Sequence, residues 1–199
     1  MRRLLSSLAS VRPPTAAPAG FTYFPRVFSD HEQRTLLNAA LQHLDAAAST
    51  AASRRKRRKL LQTGSVTADG QGFLPEQLYD FEPGHFDGVI RKYREARITD
   101  AHWHSLVATD ASLDPVLAKL RAQLPPELAV HHQCHVLHLA SDGEILPHID
   151  NVKASGSCIL GISLGSARVL RLENCDGHRY EVVLEPGSYY IQRQACLRL

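Results

Sequence analysis

Apolar residues in the N-terminal half of the chain recur every three to four positions, the spacing of one helix face. Ser29 and Glu32 stand three apart and form a capping-box pattern, which predicts the start of the first helix. A second helix is predicted over residues 113–124, and Pro125 ends it. The two apolar stripes, which predict packing faces, are Leu37, Ala40, Leu41 and Leu44 in the first helix and Leu113, Val116, Leu117, Leu120 and Leu124 in the second.

From residue 135 onward the pattern changes to short apolar stretches separated by turn residues such as Ser141-Asp142-Gly143. Helices followed by consecutive short strands predict an α+β fold, with N-terminal helices packed on a sandwich or barrel of jelly-roll type. The predicted strands are 135–140, 144–150, 157–165, 168–174, 178–185 and 187–193.

Two segments differ in composition from the rest of the chain. Residues 1–20 contain arginines, serines and alanines but no acid, which predicts a mitochondrial transit peptide; a disordered terminus is the alternative. Residues 45–72 pass from small residues into the basic run 54–59, which predicts a flexible basic insertion. A nuclear signal or a nucleic-acid patch is possible, but no aromatic residue interleaves the charges, so a solvated, self-repelling loop is favoured.

Composition narrows the class of protein without naming its chemistry. The 199 residues are 44% hydrophobic and 22% charged, which fits one globular domain, over residues 21–199, behind the leader. No apolar run is long enough to predict a membrane span. The formal charge of +3 equals the three arginines of residues 1–20, so the remainder is neutral and gives no support for nucleic-acid binding. The four cysteines form no CxxC pair and are predicted to be reduced thiols.

The candidate chemistry lies in the stretch "EILPHID", where His148 and Asp150 are separated by one residue. Side chains two apart on a strand share a face, so an imidazole and a carboxylate can reach one metal ion together. A second histidine from elsewhere would complete a facial triad for Fe(II). Taken alone, the tripeptide is also typical of two solvated loop residues.

Four other histidines cluster just before and within the first strand of the β region: His131, His132, His135 and His138. They raise the alternative of a zinc site. His135 and His138 fall on opposite faces of the predicted strand, however, so we favour packed or solvated histidines.

Several stretches together carry a family resemblance: "PRVFSDHEQRTLLNAAL", "HVLHLASDGEILPHIDNVKASGSCILGISL" and "LEPGSYYIQR". They resemble the AlkB-like Fe(II)/2-oxoglutarate dioxygenases, and among these the mitochondrial member. The resemblance implies a double-stranded β-helix around one iron, with Fe(II) as cofactor and 2-oxoglutarate as co-substrate. It implies that His148 and Asp150 are metal ligands and that Tyr190 contacts 2-oxoglutarate.

The same resemblance implies a biological setting. It indicates a mitochondrial matrix protein with roles in programmed necrosis, fatty-acid metabolism or tRNA demethylation. The implied partner is an unknown protein or mitochondrial tRNA substrate, and the oligomeric state is left open.

The sequence departs from the family after Tyr190. The family pattern continues with a second iron-binding histidine and an arginine that pairs with 2-oxoglutarate, whereas here no histidine follows His178. Neither Arg193 nor Arg198 stands at the family position of that arginine. We therefore expect a β-helix without its last strands and little or no turnover. The alternatives are a catalytically impaired β-helix protein that acts through protein partners, and an RNA-binding module.

Overall fold

The first helix begins as the capping box predicts. The Ser29 amide donates to the Glu32 carboxylate at 2.7 Å, and the Glu32 amide donates to the Ser29 hydroxyl at 3.3 Å. The computed structural model describes residues 17–129, 133–150, 156–193 and 197–198. The helices are α1 (Asp30–Ala47), α2 (Ala51–Gln62), α3 (Asp100–Thr109), α4 (Leu113–Gln123) and the short α5 (Pro126–Ala129).

Three antiparallel sheets of three strands each account for the β structure of the described residues. The strand orders are β1-β8-β5, β2-β3-β4 and β7-β6-β9. Helices with antiparallel sheets confirm the α+β prediction. The strands are β1 (Phe21–Phe24), β2 (Glu82–Gly84), β3 (Ile90–Ile98), β4 (Cys134–Ile145), β5 (Cys158–Ile162), β6 (Arg168–Asn174), β7 (Arg179–Leu184), β8 (Tyr189–Arg193) and β9 (Leu197–Arg198).

Strand β8 lies at the centre of its sheet and presents two different faces. On one face, the Tyr189 hydroxyl donates to the Gln123 side chain of α4 at 3.0 Å. On the other face, Tyr190 stacks on Phe21 of β1 and packs with the cluster that contains Leu172 of β6. The second face is therefore enclosed between two sheets, and it is the face that bears on the candidate site.

The course of β4 differs from the turn predicted at residues 141–143. Ser141-Asp142-Gly143 does not form a turn, because β4 runs unbroken through it and ends at Ile145. The register shifts between Arg91 and Tyr93, where residues 140–143 of β4 stand opposite Lys92 alone, so the chain forms a bulge within β4. A side chain at Gly143 would collide with the Lys92 backbone carbonyl, so the bulge needs glycine here. The predicted strand over 144–150 is correspondingly wrong beyond Ile145.

The basic run also differs from its prediction, because it lies in helix α2 and not in a loop. Thr50 caps the helix, and its hydroxyl accepts from the Ser53 amide. Arg57 is 4% exposed and donates to the Leu78 carbonyl at 2.6 Å, which ties the helix to the body. Only one of the six cations of residues 54–59 faces inward, and a run of like charges does not indicate which one.

The structure also bears on the predictions for the cysteines and for a membrane span. Cys134 and Cys158 are thiols, but Cys175 is disulfide-bonded, so the prediction of four reduced thiols is wrong for it. Its partner lies outside the described residues, as does the predicted leader up to residue 16. Within the described part of the chain, no helix has the length and apolar character needed to cross a bilayer.

Candidate functional site

His148 and Asp150 lie in the segment that follows β4. This segment is tied to the neighbouring hairpin, because the Leu146 amide donates to the Val89 carbonyl at 2.8 Å. His148 Nε2 lies 3.3 Å from Asp150 Oδ1, so the structure brings the two predicted ligands together. They are not on a strand as predicted, since β4 has ended at Ile145.

The tautomer of His148 follows from its other contact. His148 Nδ1 is 2.9 Å from the Leu146 carbonyl oxygen, which can only accept, so Nδ1 carries a proton. In a neutral ring Nε2 is then an acceptor, and it faces the carboxylate of Asp150. Two acceptors 3.3 Å apart need a positive charge between them, which a proton or a metal ion can supply.

The contact between His148 and Asp150 also changes the pKa of the histidine. Its hydrogen bond with Asp150 raises the pKa of His148 above the ordinary value of 6.5, while burial acts in the opposite direction. The Leu146 carbonyl and the more distant Asp87 also raise it. The carboxylate of Asp150 therefore stabilises positive charge on the His148 ring.

Two side chains of β8 complete the surroundings of Asp150. Tyr190 and Gln192 are two apart and share a strand face. Gln192 is 1% exposed, and its amide nitrogen donates to Asp150 Oδ2 at 3.4 Å. Burial, with a contribution from Asp150, raises the pKa of Tyr190 to about 12. Gly161 on β5 leaves room for the ring of Tyr190, because a side chain there would overlap it.

His135 and His138 take no part in this cluster. His135 Nδ1 pairs with Glu95 at 2.6 Å, and His138 lies in an aromatic pocket beside Arg94. His131 and His132 lie outside the described residues. Among the residues that the structure does describe, no group of three His, Cys, Asp or Glu side chains could hold a metal. The zinc alternative therefore gains no support there.

Sequence reasoning missed Gln192. The available signal was a polar residue two positions after Tyr190, on the same face of the predicted strand over 187–193. Its side-chain oxygen is buried and has no hydrogen-bond partner, which is unusual for a buried polar atom.

Comparisons with known proteins give a consistent picture. The alpha-ketoglutarate-dependent dioxygenase alkB homolog 7, mitochondrial, of Bos taurus is 38% identical over 115 residues, which cover 57% of this chain and 49% of that protein. Its Mus musculus counterpart is 37% identical over 132 residues, with 65% and 55% covered. The resemblance to the AlkB-like dioxygenases is confirmed. The chain spans about half the length of these AlkB-like relatives.

Two other comparisons complete the findings. No family model matches the chain. Among solved structures, the Pseudomonas putida prolyl-4-hydroxylase is similar over 90% of this chain and 83% of its own, at a TM-score of 0.46 and 13% identity.

The side chains at the site provide the donor types that iron binds. An imidazole nitrogen and a carboxylate oxygen, as in His148 and Asp150, are donor types that Fe(II) accepts in AlkB-like and other non-haem oxygenases. Two acceptor atoms face each other at 3.3 Å, and the Gln192 oxygen nearby has no donor. Both observations fit a bound cation.

Proposed function

We propose that the protein is an Fe(II)- and 2-oxoglutarate-dependent dioxygenase of the AlkB-like type that acts in the mitochondrial matrix. The observation that carries the proposal is the approach of His148 Nε2 to Asp150 Oδ1 at 3.3 Å. The identity of 37–38% to mitochondrial relatives supports it. The proposed fold is a double-stranded β-helix, in a dioxygenase domain over residues 21–199 behind a transit peptide over residues 1–20.

In this proposal His148 and Asp150 hold the metal. The Leu146 carbonyl fixes the imidazole with Nε2 directed at the metal, and Gln192 orients the carboxylate through Oδ2. Bound Fe(II) together with 2-oxoglutarate supplies an oxidative decarboxylation that activates oxygen. The protein contributes ligand orientation and a largely buried setting, since the His148 and Asp150 side chains are 24% and 14% exposed.

Tyr190 is proposed to contact the co-substrate. Its hydroxyl keeps its proton at neutral pH, because burial raises its pKa to about 12. It can therefore donate a hydrogen bond to an anionic acceptor such as a carboxylate of 2-oxoglutarate. Its stacking on Phe21, with ring centroids 5.4 Å apart, holds the ring in place.

Metal titration tests the proposal. We expect one Fe(II), or Mn(II) as a stand-in, per chain under anaerobic conditions, and loss of that binding in His148→Ala and Asp150→Ala. His135→Ala is the matched control, because this histidine pairs with Glu95 away from the site. Metal binding that survives His148→Ala would contradict the proposal. Succinate production from 2-oxoglutarate then measures turnover.

The substrate and the biological role rest on the resemblance. We propose a protein or a mitochondrial tRNA as the substrate, and a role in programmed necrosis, fatty-acid metabolism or tRNA demethylation. Demethylation of a tRNA would appear as succinate release that depends on methylated RNA.

A second candidate is a catalytically impaired protein that acts through protein partners. The observation in its favour is that the described residues bring no third His, Cys, Asp or Glu to the pair. Stoichiometric iron binding without succinate formation would favour this candidate over the enzyme.

A third candidate is an RNA-binding module that uses helix α2. Its exposed face carries Arg55, Lys56, Arg58 and Lys59, and no acidic residue occurs in the helix. RNA affinity that falls steeply with salt and is lost on neutralising these four cations would favour it.

A further inference from the structure

The side-chain amide of Gln192 is buried, with a hydrogen bond from its nitrogen and none to its oxygen. The residue is 1% exposed, its nitrogen donates to Asp150 Oδ2 at 3.4 Å, and its oxygen has no hydrogen-bond partner. A buried carbonyl oxygen without a donor loses its hydration and regains nothing. Such an atom in a folded protein indicates an ion or water that completes its environment.

The orientation of this amide is fixed by its neighbour. If the amide were turned over, its oxygen would face Asp150 Oδ2, and two acceptors would oppose each other. The nitrogen must therefore face the carboxylate, and the oxygen is the atom left to bind something else. Because Gln192 shares the strand face of Tyr190, the amide lies on the side of β8 that Asp150 occupies.

The pair and the amide are joined through one carboxylate. His148 Nε2 and Asp150 Oδ1 oppose each other at 3.3 Å, and Gln192 Oε1, which has no hydrogen-bond partner, belongs to an amide that is bonded to the same carboxylate. A cation shared by the three side chains would give each of these acceptor atoms a partner, whereas a proton between His148 and Asp150 leaves the amide oxygen unsatisfied.

We propose that Gln192 Oε1 is a third protein donor to the divalent metal ion that His148 and Asp150 hold. The inference rests on the proposed function and adds a ligand to its site. One planar amide then has two tasks, since its nitrogen orients Asp150 while its oxygen binds the cation. The resulting set is one imidazole nitrogen and two oxygens of different charge, which suits Mn(II) and Fe(II).

The experiment compares Mn(II) affinity in the unaltered full chain, Gln192→Leu and Gln192→Glu. We expect Gln192→Leu to weaken binding by about 10- to 100-fold. Gln192→Glu keeps an oxygen in place of the amide oxygen but loses the N–H bond to Asp150, so it should bind more tightly than Gln192→Leu. Gln123→Leu is the matched control, because Gln123 contacts Tyr189 on the opposite face of β8.

A second readout separates a metal donor from a structural glutamine. Without metal, Gln192→Leu removes an unsatisfied buried oxygen together with the N–H bond to Asp150, so the two changes oppose each other and the melting temperature should shift little. The visible absorption spectrum of bound Co(II) should change in Gln192→Glu, since one donor atom is exchanged. This measurement keeps the inference falsifiable even if the leucine variant does not fold.

The outcomes separate the two proposals. If the unaltered chain binds no metal, both the proposed function and this inference are overturned. If it binds metal and Gln192→Leu binds equally well, the inference alone fails. If Gln192→Glu binds as weakly as Gln192→Leu, or leaves the Co(II) spectrum unchanged, the amide oxygen is not a donor and the inference also fails.

Discussion

Two buried polar clusters of this molecule differ in how fully their atoms are paired. Arg94 is 0% exposed, and it donates to Asp45 at 2.6 Å and to His138 Nδ1 at 3.0 Å while its guanidinium stacks on Tyr79 at 4.2 Å. At the candidate site, by contrast, two acceptors oppose each other and the Gln192 oxygen has no donor. Each nitrogen of the Arg94 guanidinium has an acceptor, which indicates a structural role, whereas the unpaired acceptor atoms at the site indicate a place for a ligand.

The Arg94 cluster also explains how helix α2 is held. Arg57 Nη2 lies 3.1 Å from Asp45, an ion pair without the geometry of a hydrogen bond, while its Nη1 donates to Leu78. Asp45 is thereby shared by two arginines from different elements. The basic helix is thus fixed through one inward cation, and its other charges remain on the surface.

The largest expected effect comes from removing Arg94. Arg94→Met keeps most of the side-chain volume but leaves Asp45 and His138 without their buried donor. We expect the free energy of unfolding to fall by about 3–5 kcal/mol, the usual cost of breaking a buried ion pair. Urea denaturation followed by circular dichroism measures it.

A matched control compares the buried ion pair with an exposed one. Arg91→Met breaks an exposed pair with Glu144, whose side chains are 55% and 54% exposed, and should cost less than about 1 kcal/mol. Equal losses in the two variants would contradict the structural role assigned to Arg94. Metal binding by the folded fraction of Arg94→Met should be unchanged, because the cluster is separate from the site.

The next effect is a pH dependence of stability that originates at His138. Burial, with Arg94 and Arg168 nearby, lowers the pKa of His138 from 6.5 to about 4. The unfolded chain then takes up this proton at a higher pH than the folded one. Stability should therefore fall as the pH drops from 6.5 towards 4, by up to about 3 kcal/mol.

Comparison of unfolding curves at several pH values with those of His138→Phe isolates this contribution. The variant should lose the acid-induced decline that belongs to His138 while it keeps the decline due to carboxylates. Identical pH slopes in the two proteins would show that His138 takes up its proton at the same pH in the folded and unfolded states, which would contradict the lowered pKa.

The elements that follow local rules could be predicted from the sequence. The capping box of Ser29 and Glu32 and the stripe beginning at Leu113 gave α1 and α4 nearly to the residue, because helix starts and amphipathic faces depend on nearby positions. The turn predicted at Gly143 failed for a tertiary reason. Its glycine serves a bulge opposite Lys92, about fifty positions away, which no local pattern encodes.

The candidate site was predicted in part. The approach of His148 and Asp150 followed from their spacing, although their position after β4 and not on it did not. Gln192 could not be identified, because its role depends on which strand face meets Asp150. Arg57 was missed for the same reason, since six successive cations give no indication of which one faces inward.

The smallest of these effects tests the space reserved for Tyr190. A methyl group at Gly161 would overlap Cε1 and Cζ of the Tyr190 ring, which is stacked against Phe21 and cannot move without repacking. We expect Gly161→Ala to lower the free energy of unfolding by about 1–3 kcal/mol, as overpacking usually does. Because the displaced hydroxyl would leave its proposed position, 2-oxoglutarate should also bind more weakly.

The control for this variant is Gly70→Ala, since nothing lies within 4 Å of a side chain built there and its backbone is not left-handed. It should leave both stability and 2-oxoglutarate affinity unchanged, with isothermal titration calorimetry as the measure. Tyr190→Phe keeps the ring and removes the hydroxyl, so it should weaken 2-oxoglutarate binding without the overpacking cost. If Gly161→Ala destabilises the protein but binds 2-oxoglutarate normally, Tyr190 belongs with the fully paired structural residues and not with the site.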